Sequence, residues 1–166
     1  MSGAVRAYIG LGSNLEDPRR QVRTAIAELD ALPYTRLVAR SSLYRSDPMG
    51  PPDQPDYINA VAAVNTLLTP LALLDALMGV ERAHGRIRNA TRWGPRTLDL
   101  DLLVYGEGII SEGRLTVPHP GIAERAFVLL PLREIAPDLE IPGRGRVAAL
   151  ASGLADGGIE RLNGDE

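Results

Sequence analysis

The stretch RWGPRTLDLDLLVYG (92–106) decides how this chain is read, because its second half has the pattern of a strand with a chemical anomaly inside it. Side chains on a strand alternate with period two, so Leu98, Leu100, Leu102 and Val104 are expected on one face and Asp99 and Asp101 on the other. The two aspartate Cα atoms are then about 7 Å apart, close enough for the carboxylates to converge on one cation and, without it, to repel each other. Folding gains nothing from that arrangement, whereas a divalent metal gains two ligands.

Working outward from this strand, residues 5–11 (VRAYIGL) read as a strand closed by a turn at GSN. Asp17 and Pro18 have the chemistry of an N-cap and first helical residue, ahead of Val22, Ala25, Ile26 and Leu29 at helical spacing. Residues 37–44 read as a second strand, the proline-rich 46–56 as a loop, and 57–67 as a third strand. Thr69 and Pro70 open a second helix whose apolar stripe holds Leu74, Leu77 and Met78 and also Glu81, with Gly79 and Gly85 bracketing a frayed end. Beyond the Asp99/Asp101 strand, the sequence predicts a hairpin-like turn over 106–113, a helix near 121–125 and another near 129–135. Residues from about 155 to 166 are expected to form a loose tail. The order βαββαβ is that of an α/β (α+β) ferredoxin-like core with additional strands and short helices, a single domain over 1–166. Helices are expected on one sheet face, leaving the other face and the strand ends for a site.

Composition narrows the chemistry. The chain has 166 residues, 45% of them hydrophobic, enough for one domain with a buried core. No apolar run reaches the roughly 20 residues needed to span a bilayer, and the first residues lack the order of a secretory signal, so a cytoplasmic protein with no membrane partner is expected. Absence of cysteine excludes thiolate nucleophiles, disulfides and cysteine-built zinc sites. All 18 basic residues are arginine, which excludes a Walker A lysine, a Schiff-base lysine and a protein-kinase lysine. The net charge of -3 argues against nucleic acid as a partner. Within that acidic chain, residues 85–98 carry Arg86, Arg88, Arg92 and Arg96 and no acid.

Of the candidate motifs, GLGSN (10–14) lacks the third glycine of a dinucleotide fingerprint, because Leu15 occupies its place; it reads as a tight turn with Asn14 placed to hydrogen-bond across the site. Paired carboxylates with few histidines favour Mg²⁺ over Zn²⁺, and Mg²⁺ usually completes its shell with water and substrate phosphates. The four arginines supply planar donors that match phosphate oxygens. Trp93, between two of them, offers an indole for a purine face or for the protein body on closure. His119 is stiffened by Pro118 and Pro120 and can reach phosphate; His84, at a helix end, is assigned to the helix dipole or to solvent.

Together, RWGPRTLDLDLL (92–103), LTVPH (115–119), QPDYINA (54–60) and YIGLGSNL (8–15) resemble the 6-hydroxymethyl-7,8-dihydropterin pyrophosphokinases of folate biosynthesis. The resemblance implies transfer of the β,γ-pyrophosphoryl group of ATP to the pterin's hydroxymethyl oxygen, leaving AMP. It implies two Mg²⁺ ions on Asp99 and Asp101, phosphate contacts from Arg86, Arg96 and His119, and Arg88 and Arg92 on a loop nearby with Trp93. Arg114 and Thr116 then belong with the nucleotide, and Tyr57 and Phe127 stack on the pterin. Asn59 and the backbone around Ser46, Asp47 and Met49 meet the pterin's polar edge, with Gly12, Asn14 and Glu81 close by. In this sequence Asn89, Met78 and SDPMG (46–50) depart from the residues more familiar in the family. The resemblance carries ATP and the pterin as partners of a monomer. A Mg²⁺-dependent phosphohydrolase and a non-catalytic ferredoxin-like binding module are the alternatives.

Like charges without apolar periodicity over 85–95 are expected to close as a lid once a polyphosphate offsets their repulsion. Replacing both Arg88 and Arg92 with Ala is expected to slow transfer by roughly 10²- to 10⁵-fold, read by single-turnover AMP formation. Trp93 emission is expected to shift when an ATP analogue and the pterin are both added.

Overall fold

The computed structural model describes residues 3–14, 17–46, 56–84, 98–154 and 159–162. Strand β1 (Val5–Ser13) lies in the middle of an antiparallel sheet, between β4 (Tyr57–Thr66) and β5 (Asp99–Tyr105). The far edge of β4 is shared by two short strands, β2 (Thr35–Arg40) and β3 (Tyr44–Ser46). The expected single strand over 37–44 is thus broken. Ser41 bridges the break, its N–H donating to the Val61 carbonyl and its Oγ accepting the Val61 N–H, both at 2.9 Å. Two small ribbons, β6 (Ile110–Glu112) with β7 (Leu115–Val117) and β8 (Glu140–Ile141) with β9 (Gly145–Arg146), lie outside this sheet. The first replaces the turn expected over 106–113, its bend falling at Gly113, where φ is +57°.

Helices α1 (Pro18–Asp30) and α2 (Pro70–Ala83) cover one sheet face. Val22, Ile26 and Leu29 of the first and Leu73, Leu77 and Val80 of the second pack on Ile9, Leu11, Ala62, Leu100 and Leu102. Thr69 caps α2 by accepting the Ala72 N–H at 3.2 Å. Asp17 does not act as the expected cap: its backbone is left-handed, with φ +63°, and its side chain makes no cap hydrogen bond. Gly79 lies inside α2 rather than at a frayed end. His84, expected at the dipole or in solvent, ties the two helices, its Nε2 2.6 Å from Glu28 and its Nδ1 bonded to Gln21.

The opposite face is not left open along its length, as the sequence suggested. Helices α3 (Ala126–Ile135) and α4 (Val147–Ser152) cover part of it, with Val128, Leu129, Leu132, Val147 and Ala151 packed on Tyr8, Val61, Ala63, Leu103 and Val104. The helix expected near 121–125 is a turn, and α3 begins after it. No helix among the described residues is long and apolar enough to cross a membrane. Strand β10 (Ile159–Arg161), from the stretch expected to be a loose tail, pairs with β3.

One polar cluster binds these layers. Glu134, near the end of α3, accepts the Ser42 N–H at 3.0 Å, the Ser42 hydroxyl at 2.9 Å, the Tyr44 hydroxyl at 2.8 Å and Arg161 at 3.3 Å. Burial first, then the hydrogen bond to Glu134 and its charge, push the Tyr44 phenol up to about 12, against lowering by Arg161 and Arg133. The folded chain therefore keeps a proton that the unfolded phenol loses near its ordinary 10.0. Its contribution to stability is whole below pH about 10 and is lost as pH rises through about 12. Urea unfolding across that window should fall more steeply for the wild type than for Tyr44→Phe.

Candidate active site

The register of three strands gathers the site. Gly12 of β1 is paired on one side with Asp99 of β5 and on the other with Asn59 of β4, which in turn is paired with Tyr44 of β3. Two residues along, Gly10 is paired with Asp101 and Val61. Alternation puts Tyr44, Asn59, Gly12 and Asp99 on one face, with Gly10 and Asp101 beside them. Glycine at position 12 leaves bare main chain between Asp99 and Asn59, whereas over Gly10 the Leu103 side chain stands 3.5 Å from where a Cβ would be. A Cβ at Gly12 would come within 3.4 Å of Asn59 Oδ1 and 3.9 Å of Tyr57 Cδ1, so it would stand in the space between them.

The expected face of the aspartates holds, but that of Val104 does not. The β1–β5 ladder steps from Tyr8↔Val104 to Ile9↔Leu102, so Leu103 is the extra residue of a bulge. Leu98, Leu100 and Leu102 face α1 and α2, whereas Leu103 and Val104 both turn to the aspartate side. Asp99 and Asp101 are half-buried on that face.

Glu81, which looked misplaced on an apolar stripe, is 2% exposed, and its Oε2 accepts the Leu100 N–H at 2.7 Å. It thereby holds the edge-strand backbone between the two aspartates. His119 is fixed by its N–H to the Leu103 carbonyl at 2.9 Å, and its Nδ1 accepts the Gly121 N–H at 3.1 Å. Nε2 lies 3.9 Å from Asp101 Oδ1. Burial, then the charge of Arg125, holds His119 below the usual imidazole range, against Asp99, which raises it. With Nδ1 an acceptor, the neutral ring carries its proton on Nε2, toward the aspartates.

Asn59 is 4% exposed, and its Nδ2 donates to Ser46 Oγ at 2.7 Å. Tyr57 and Phe127 are both half-buried, at the start of β4 and in the first turn of α3. Asn14 is buried at the end of β1. Arg114 is turned toward α2, where it is paired with Asp75 and lies 3.2 Å from Met78 Sδ; Thr116, on the same ribbon, is exposed. Arg125 was missed by the sequence reading; its Cζ lies 5.8 Å from the Phe127 ring centroid, and it also acts on His119. Its signal was its place two residues before the aromatic. Arg86, Arg88, Arg92, Trp93, Arg96, Asp47 and Met49 lie outside the described residues, as does the expected lid.

Two half-buried carboxylates, joined by no third acidic, histidine or cysteine ligand in a cage among the described residues, suit Mg²⁺ better than a closed zinc site.

The family model of 7,8-dihydro-6-hydroxymethylpterin-pyrophosphokinase matches residues 8–137. A 2-amino-4-hydroxy-6-hydroxymethyldihydropteridine pyrophosphokinase of Pseudomonas aeruginosa is 52% identical over 159 residues, 96% of this chain and 98% of that one. Its namesake in Haemophilus influenzae is 49% identical over 159 residues, 96% and 99% of the two chains. Among solved structures, the wild-type HPPK-DHPS of Plasmodium falciparum with SDX-DHP superposes with a TM-score of 0.71 at 14% identity, over 90% of this chain and 44% of that longer one. The chain belongs to the 7,8-dihydro-6-hydroxymethylpterin-pyrophosphokinase family. It is an ATP-dependent pyrophosphokinase that transfers a pyrophosphoryl group to hydroxymethyldihydropterin in folate synthesis, and neither the phosphohydrolase nor the binding-module alternative is favoured.

Glu81→Leu keeps most of the side-chain volume but orphans the Leu100 N–H. It is expected to cost about 1–3 kcal/mol of stability, measured by urea unfolding at neutral pH.

Proposed function

We propose that transfer takes place over the glycine floor of β1, between the Asp99/Asp101 pair and Asn59. The observation that carries this is the register itself, which sets carboxylates, bare main chain and an amide in one row. Asp99 and Asp101 would hold two Mg²⁺ ions. Bound there, the metal supplies charge neutralisation for phosphate oxygens and a template for in-line displacement. Asn59, with its Nδ2 engaged by Ser46, keeps Oδ1 toward the floor, where it accepts a donor from the pterin's polar edge. Tyr57 and Phe127 provide the stacking faces, with Asn14, Gly12 and backbone from Ser46 onward, including Asp47 and Met49, completing that end.

His119, whose Nδ1 accepts the Gly121 N–H and which burial and Arg125 hold toward the neutral form, would donate its Nε2–H to a phosphate oxygen and so orient the chain of phosphates. The arginine-rich segment, with Arg86 and Arg96 on phosphates and Arg88, Arg92 and Trp93 closing over them, is supported by its composition and by the family likeness. The bound adenosine falls to Arg114 and Thr116, on the ribbon where Arg114 meets Met78. The hydroxymethyl oxygen forms a bond to the β-phosphorus of ATP as the bond from that phosphorus to the α,β-bridging oxygen breaks. AMP leaves, and the hydroxyl proton is released.

The order β5-β1-β4-β2, antiparallel throughout, supports a ferredoxin-like core for this single domain. We also read the enzyme as a cytoplasmic monomer. Asp101→Ala is expected to lower the rate on the order of 10³-fold or more while the fold survives. The assay is AMP formation from Mg²⁺, ATP and the pterin, with circular dichroism as the control; near-normal turnover would rule out the carboxylate-pair reading.

A further inference from the structure

We propose that Glu134 is a positioning residue for the pterin half of the site, fixing α3, and with it Phe127, against the strand that carries Ser46 opposite Asn59. This rests on the reading that the pterin is bound by Tyr57, Asn59 and Phe127.

The physical need arises where β2 gives way to β3. At that break the Ser42 N–H goes to Glu134, 3.0 Å from each carboxylate oxygen, and the Ser42 hydroxyl adds a bond of 2.9 Å. The Tyr44 hydroxyl donates to the same carboxylate at 2.8 Å. Tyr44 is also the register partner of Asn59, and Ser46, two residues along β3, receives the Asn59 amide at 2.7 Å. Glu134 thus fixes the chain at Ser42 and at Tyr44, the first residue of β3, whose last residue, Ser46, receives the recognising amide. On the other side it belongs to α3, whose first turn bears Phe127 and whose ten residues, Pro131 among them, form one continuous helical rod of about 15 Å. Fixing the far end of that rod to β3 sets where its near end stands.

The C-terminal strand closes the same contact. Arg161 reaches Glu134 at 3.3 Å and donates to Ser42 Oγ at 3.2 Å, while the Leu162 N–H donates to the Leu43 carbonyl at 2.9 Å. A carboxylate suits this post because it accepts several donors at once, whereas an amide has one accepting oxygen and would turn N–H groups toward other donors.

The test compares Glu134→Gln, Tyr44→Phe and their combination, with Asn59→Ala as the reference. Pterin and a non-hydrolysable ATP analogue are titrated separately, each with the other ligand saturating, well below the unfolding midpoint of every variant. Glu134→Gln is expected to weaken pterin binding on the order of tenfold, the scale of a lost charged hydrogen bond, and to leave affinity for the ATP analogue unchanged. Tyr44→Phe shifts pterin affinity in the same direction and less. The double variant binds no worse than Glu134→Gln, because both changes remove one shared bond. Equal losses for the two ligands, or lowered stability with both affinities intact, would show that Glu134 is merely structural. If Glu134→Gln fails to fold, Tyr44→Phe decides by the same criterion. Should Asn59→Ala weaken pterin binding while Glu134→Gln and Tyr44→Phe do not, this inference falls and the site reading stands. Should Asn59→Ala leave pterin affinity intact, the site reading falls and takes this inference with it.

Discussion

Slide β5 by one residue against β1 and Asp99 and Asp101 enter the interior filled by Ile9, Leu11, Ile26 and Leu77, while Leu100 and Leu102 move to the open side. Desolvating even one carboxylate there costs several kcal/mol, so the charge pair itself enforces the pairing that the fold needs. The register is held from the flank as well, since Glu81 reaches from α2 to the one backbone N–H that lies between the aspartates. Everything else in the site is placed relative to that ladder: Asn59 through Gly12, Tyr44 through Asn59, and Ser46 through both.

The bulge at Leu103 lets one strand serve two environments. Before it, β5 alternates strictly, apolar toward α1 and α2 and acidic toward the open side; after it, Leu103 and Val104 both add to the core beneath α3 and α4. The carbonyl of Leu103 is then the acceptor for the His119 N–H, so the local irregularity also carries the histidine to the carboxylates.

How much of this is legible in the sequence depends on range. The shared face of the aspartates and the capped start of α2 follow from local pattern, because period-two spacing and the Thr-Pro pair act over a few residues. Asn59 comes only from the family resemblance, and the turn expected at GLGSN is absent, since β1 runs extended through Gly10 and Gly12 to Ser13. The bulge is hidden, since LLVY is a continuous apolar run with no residue to mark an extra step. Helix α3 starts ahead of the expected 129–135 and keeps Pro131 in its interior, where burial of Val128, Leu129 and Leu132 offsets the lost N–H. Strand β10 is too short to show alternation and takes its form from β3, more than a hundred residues earlier. His84 reads as an ordinary polar helix end and nothing local marks Glu134, since neither Gln21 and Glu28 nor Ser42 and Tyr44 is near them in sequence.

The bare main chain at Gly12 has a consequence, under the proposed site, for how this enzyme can escape inhibition. A ligand resting on main chain meets groups that no codon change deletes, so a resistant form cannot arise there by trimming away a contact. It can only add atoms, and at Gly12 the first carbon added comes into contact with Asn59 Oδ1 at 3.4 Å and the Tyr57 ring at 3.9 Å. With the pterin resting there as proposed, obstruction of that kind falls on it as heavily as on any compound shaped to the same strip of backbone.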